Sequence, residues 1–254
     1  MTEIGQRISA ELDRVRDENG VRILLACESG SRGWGFASTD SDFDVRFIYA
    51  HPSSFYLSIN EHKDTMDFPL EDELDLNGWD LKKALKLLAK SNTTVFEWLQ
   101  SPIIYRQDGN FTNALMKLGA EQFSPKGGMA HYLGLTKASL ARQKEQGDEQ
   151  KLKTWFYILR SLFAAKWIDI HRSVPPMQFE PLQSVVDESG VLDRIAELLE
   201  MKIVGTEHST TPPQPILSDY VEAEVGTLTQ SLNRTPSSQT TTDKLDEFFR
   251  SWLA

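Results

Sequence analysis

The stretch "ESGSRGWGFASTDSDFDVRFIY", residues 28–49, decides how this chain is read. A loop carrying Gly30, Gly33 and Gly35 opens on Gly30-Ser31 and runs into Asp42 and Asp44, one residue apart, where an apolar strand begins. Carboxylates spaced by two on a strand point to the same face and repel each other, so the pattern costs stability unless a cation sits between them. A positive group is expected there. Working outward, "VRILLAC" before the loop reads as a buried strand and "FDVRFIYA" as a second. Further on, "EDELDL" alternates Leu74 and Leu76 with Glu73 and Asp75, the periodicity of a strand with one polar face.

Four readings of the aspartates compete. Asp40, Asp42 and Asp44 match the first half of a calcium-binding EF-hand loop, but the sixth position would be Val45 rather than Gly and the twelfth His51 rather than Glu. An aspartate-nucleophile phosphatase would place its first aspartate at the end of an apolar strand, whereas here the apolar residues follow Asp42. The third reading is metal-dependent nucleotidyl transfer. The N–H groups of a glycine-rich turn would cradle the outer phosphates of a nucleoside triphosphate, Ser31 adds a hydroxyl, and Asp42 with Asp44 holds Mg²⁺ against the same phosphates. A third carboxylate is needed, and Asp75 is the best placed, with Glu73 and Asp80 as fallbacks; Asp80 also suits a helix N-terminus. The fourth reading is a glycine-rich turn beside a solvated acidic edge, with Asx turns at Asp40 and Asp42. Gly-Ser, its spacing to the aspartate pair, the strand order and the later strand carboxylate together favour the transfer site.

"GSRGWGFASTDSDFDVRFIY" resembles the signature of the DNA polymerase β-type nucleotidyltransferase superfamily, in which Gly-Ser is followed at this distance by Asp-x-Asp. More narrowly, "NGWDLKKALKLLAKSNTTVFEWLQSPIIY" and "KLKTWFYILRSLFAAKWI" are similar to predicted nucleotidyltransferases of an RNA-repair-associated group. The resemblance implies an α+β fold in which a small mixed-sheet catalytic domain with flanking helices, residues 1–108, precedes an all-α domain, residues 109–254, that completes the nucleotide and acceptor cleft. It implies Gly30 and Ser31 on the triphosphate, Asp42, Asp44 and Asp75 on Mg²⁺ (or Mn²⁺), and transfer of a nucleoside monophosphate to a hydroxyl of an RNA 3′ end, a protein or a small molecule, with release of pyrophosphate. The alternative is a catalytically inactive nucleotide-binding regulatory or partner-binding module.

Helical spacing of Ile4, Ile8, Leu12 and Val15 predicts an N-terminal helix ending near Gly20, and a helix is expected over "GWDLKKALKLLAKS" with Leu81, Leu85 and Leu88 on one face. "TTVFEWLQ" is a short helix capped by Ser91 or Asn92. After a polar break at 106–112 the pattern is all helical, near 111–122, 127–146, 150–170, 190–203, 216–232 and 242–253, with polar loops at 206–215 and 235–242. In "KLKTWFYILR", Lys153, Tyr157 and Arg160 share a helix face which, with Lys151, either meets nucleotide phosphates or an RNA end or is simply solvated. Arg32 is a further phosphate candidate from the loop, Arg46 either neutralises the acidic pair or contacts substrate, and Trp34 either stacks on a base or covers the core.

The 254 residues carry a formal net charge of −10, which argues against a long DNA duplex as partner, although residues 126–172 hold nine Lys or Arg against four Asp or Glu, enough for a few phosphates. The single Cys27 excludes an internal disulfide framework and fits a reducing cytoplasm. No apolar run is long enough for a bilayer, and the first twenty residues pattern as an amphipathic helix rather than a signal peptide.

Overall fold

A computed structural model describes residues 2–237 and 242–253. Helix α1 (Glu3–Asn19) starts where the Thr2 hydroxyl accepts the Gly5 N–H, buries Ile8, Leu12 and Val15, and stops at Gly20, whose φ of 60° favours glycine. Strand β1 (Arg22–Glu28) leads into the short helix α2 (Gly30–Trp34), and β2 (Phe43–Ala50) follows the loop. Next come α3 (Ser53–Tyr56), β3 (Thr65–Asp67), β4 (Leu74–Asp80), α4 (Leu81–Ala89), α5 (Thr93–Leu99), β5 (Ile104–Gln107) and α6 (Phe111–Gln122). The remaining elements are α7 (Pro125–Glu145), β6 (Gln150–Lys151), α8 (Leu152–His171), α9 (Phe179–Leu182), α10 (Ser189–Val204), β7 (Thr210–Thr211), α11 (Pro215–Arg234) and α12 (Asp243–Ser251).

The larger sheet has the order β3-β4-β2-β1-β5. Only β2 and β4 are parallel; every other pairing in it is antiparallel. The fold is α+β with a mixed sheet, as the sequence implies.

Strand β4 runs further than the alternation in "EDELDL" suggests. It continues through Gly78 to Asp80, so the helix expected from Gly78 begins at Leu81. Gly78 belongs to the sheet because the Phe47 ring lies where its side chain would be, 2.2 Å from an added Cβ. Asp80 then starts the helix, accepting the Lys82 N–H at 2.7 Å. Asn92, not Ser91, caps α5. The stretch read as a polar break, 106–112, takes in the end of β5, where Arg106 pairs across from Ala26 and donates to Asp13, and the start of α6.

The described residues form two compact units, one of 2–33, 42–122 and 242–253 and another of 34–41 and 123–237. The division expected at 108/109 therefore lies at 122/123. Helix α6 stays with the first unit because Gly119 admits the Phe96 ring and Leu88 into close contact. Helix α12 joins it too: Phe248 and Trp252 meet Phe111, and Phe249 meets Tyr56. The first unit has a core of Ile8, Leu12, Val15, Val45, Phe47, Leu74 and Leu76. The second is built on α8, whose Trp155, Phe156, Leu159 and Phe163 are fully buried. It is helical except for the two-residue ladder β6–β7, which the periodicity did not signal. Part of the polar loop expected at 235–242 lies outside the described residues. Among those described, no helix is long and apolar enough to cross a membrane.

Candidate active site

Parallel pairing of β2 and β4 sets Asp44 directly across from Asp75 in the ladder, so their side chains rise from one face of the sheet. Between them stands Arg46. Its Nη2 donates to Asp44 Oδ1 at 2.8 Å and to Asp75 Oδ2 at 2.7 Å, while Nη1 donates to the Asp75 carbonyl at 2.9 Å. The positive group expected between Asp42 and Asp44 stands instead between Asp44 and Asp75, because Asp42 falls outside the strand. All three side chains are part-exposed, at 28%, 40% and 18% for Asp44, Asp75 and Arg46, so the cluster is open to solvent.

Gly30 meets this cluster from the other side. Its φ is 57°, and a Cβ added there would lie 1.8 Å from Asp44 Oδ2. Only glycine lets the turn close on the carboxylate. Ser31 follows in the first turn of α2 and is buried. Asp42 lies just before β2 rather than in it, exposed to solvent. Arg32 is held by this segment: Nε donates to the Asp42 carbonyl at 3.2 Å, and the guanidinium lies 3.8 Å from the centre of the Phe43 ring. Of the fallback carboxylates, Glu73 is exposed before β4, and Asp80 is committed to the α4 cap and to the Tyr56 hydroxyl.

A residue missed in the sequence stands behind the cluster. Glu28 ends β1 with 0% exposure, accepting the Asp44 N–H at 2.8 Å through Oε1 and a short hydrogen bond from the Tyr105 hydroxyl through Oε2. Burial pushes its carboxyl above the usual range, and burial with the neighbouring Glu28 does the same to Tyr105. Glutamate at the end of an apolar strand carries no sequence signal that it turns inward.

The donor chemistry suits a hard divalent cation. Two carboxylate oxygens converge on one point, now filled by an arginine nitrogen, and Mg²⁺ is commonly held by one or two carboxylates with water and substrate phosphates completing its shell. Among the described residues no three acidic, imidazole or thiol side chains gather closely enough to hold a metal by themselves. Asp44 and Asp75 are the residues that fit, with Asp42 one position outside the strand.

The basic helix face lies in the second unit. Lys151 is exposed at the start of α8. Lys153 pairs with Glu207 at 2.5 Å and lies 5.7 Å from the Tyr157 ring centre; Tyr157 meets Trp34 edge to face, and Trp34 lies under the Arg160 guanidinium at 4.3 Å. Lys153, Tyr157 and Arg160 do share a face, but Arg160 is not presented outward. It is 4% exposed and donates twice to the Met177 carbonyl, at 3.0 and 2.9 Å. Trp34 packs with Phe36 as well, and Tyr132 is buried in the same core.

The signature loop itself is tied into this unit. Fully buried Lys202 donates to the Ser38 hydroxyl at 2.6 Å and pairs with Glu207 at 3.2 Å; the Ser41 hydroxyl donates to Glu207 at 2.6 Å, and Asp40 accepts the Glu207 N–H. Burial raises the Glu207 carboxyl, but Lys153, Ser41 and Lys202 outweigh it and hold the pKa at about 2.

Residues 4–251 match the RlaP family, described as an RNA repair pathway DNA polymerase beta family. The uncharacterized protein YcgL of Bacillus subtilis (strain 168) is 39% identical over 221 residues, 87% of this chain and 85% of that one. A solved structure, a nucleotidyltransferase-like protein from Exiguobacterium sibiricum 255-15, is 14% identical over 89% of this chain and 75% of its own, with a TM-score of 0.30, too distant to bear on activity.

Proposed function

This chain belongs to the RNA repair pathway DNA polymerase beta family, and we propose that it is an Mg²⁺-dependent nucleotidyltransferase that moves a nucleoside monophosphate from a triphosphate to a hydroxyl, that of an RNA 3′ end. The acceptor oxygen forms a bond to the α-phosphorus, the α–β phosphoanhydride bond breaks, and the hydroxyl proton and pyrophosphate leave. The observation that carries the reading is the register of Asp44 against Asp75, with both carboxylates converging on one nitrogen.

In this reading the missing side chain at Gly30 lets the turn pack directly against the Asp44 carboxylate, and Ser31 supplies a hydroxyl from the same turn. Glu28 fixes the backbone of Asp44 through its N–H, and Arg46 holds the carboxylate itself. Asp44 and Asp75, with Asp42 beside them, would hold Mg²⁺, which when bound offsets charge on the phosphates and activates the acceptor hydroxyl. Arg46, once relieved of the carboxylates, offers a planar pair of donors suited to a phosphate.

One observation favours a second reading, a nucleotide- or partner-binding module without turnover: Arg46 already pairs with both carboxylates. The discriminating experiment incubates the protein with Mg²⁺, α-labelled NTP and oligoribonucleotides ending in a free or a blocked 3′ hydroxyl. Label joined only to the free end supports RNA transfer. Label joined to neither end, with tight NTP binding by calorimetry, supports the module.

A further inference from the structure

The β2–β4 pair has two ends, and Asp44 and Asp75 occupy only one. At the carboxyl ends the first unit has a cavity of about 480 Å³ between the 55–64 segment and the start of α4. From Asp44 and Asp75 to Tyr49 and Asp80 each strand advances five residues, roughly 17 Å at about 3.3 Å per residue. The cavity is therefore separate from the acidic cluster.

Its charge is not that of the whole acidic chain. Asp80 is 3% exposed and occupied by the Tyr56 hydroxyl and the Lys82 N–H, and Asp64 takes Lys83. Lys63, Lys82 and Lys86 also line the cavity, against the exposed Glu61; none of the three forms a salt bridge among the described residues, the Lys82 charge acts on Asp80, and four lysines against three carboxylates leave the lining with a cation in surplus. A cavity with surplus cations in an acidic protein selects anions. It also offers a ring surface: Phe55 is stacked between His51 at 3.6 Å and His62 at 4.0 Å, with His62 at the exposed end. Adjacent cations and an open aromatic stack match a strand of phosphates and bases.

We infer that this cavity binds single-stranded RNA, with phosphodiesters on Lys63, Lys82 and Lys86 and a base on the stack ending at His62, and so holds the acceptor strand away from its reacting end. The inference rests on the reading of the protein as a transferase acting on RNA ends.

The test measures fluorescence anisotropy of labelled oligouridylate against the full chain. K82E/K86E is expected to weaken binding at least tenfold and to flatten its salt dependence, with NTP affinity and melting temperature unchanged; K82Q and K86Q, milder at the surface, should each give part of the loss. His62→Ala should weaken binding of oligouridylate but not of inorganic polyphosphate. Unaltered strand binding in K82E/K86E, or no strand binding by wild type, overturns the proposal, and equal loss of oligouridylate and polyphosphate in His62→Ala overturns the base contact. Strand binding that persists in Asp44→Asn supports the cavity as a separate site. Wild type that binds the strand through these lysines yet releases no pyrophosphate leaves the cavity standing and removes the transfer reading alone.

Discussion

Gly30 is the most constrained residue of the site. Replacing it with alanine strains the backbone and sets a methyl against the Asp44 carboxylate, so Gly30→Ala is expected to cost about 1–3 kcal/mol of stability and to abolish NTP turnover. Paired thermal unfolding and turnover assays check it; an alanine variant with wild-type turnover would contradict the close approach. Arg46→Met removes the counterion of two half-exposed carboxylates and is expected to cost about 1–2 kcal/mol without divalent cation, a loss that Mg²⁺ should largely restore. Unfolding temperatures with and without Mg²⁺ measure this directly. That Asp44 and Arg46 share one strand face was legible from strand alternation, but the pairing that sets Asp75 opposite Asp44 and leaves Asp42 outside β2 was not. Glu28 was not, because its partners, the Asp44 N–H and Tyr105, come from strands distant in sequence.

The elements that hold the loop and the basic helix follow the same logic. Glu207 has a folded pKa of about 2, below its ordinary 4.5, so it contributes stability that is present above pH 4.5 and is lost as pH falls toward 2. The contribution is on the order of 2 kcal/mol after allowing for solvent screening. Glu207→Gln should flatten this part of the stability–pH curve; an unchanged acid limb would show that the Lys202–Glu207–Ser41 network is not formed. Lys202→Met removes the buried amine from the same network and is expected to lower stability by about 3 kcal/mol. Helix α8 itself was legible from its apolar spacing, as was the common face of Lys153, Tyr157 and Arg160. Its depth was not, because Arg160 is buried by a carbonyl seventeen positions on, which helical periodicity does not report.

At the scale of the whole molecule, two units share the signature. The chain leaves the sheet unit after Gly33, folds Trp34–Ser41 into the helical unit, and returns at Asp42. The mixed sheet ahead of a run of helices was legible in the sequence, but the placement of α6, α12 and the loop was not, because it depends on tertiary packing of Gly119, Phe248, Trp252 and Lys202. Whether Asp44 and Asp75 serve nucleotidyl transfer or structure decides the function. The direct measurement is pyrophosphate release from each NTP, with Mg²⁺ and an RNA bearing a free 3′ hydroxyl, by wild type, Asp44→Asn and Asp75→Asn. Release by wild type and a fall of at least ~100-fold in both variants, each still folded, is the predicted result; equal rates in all three would contradict it.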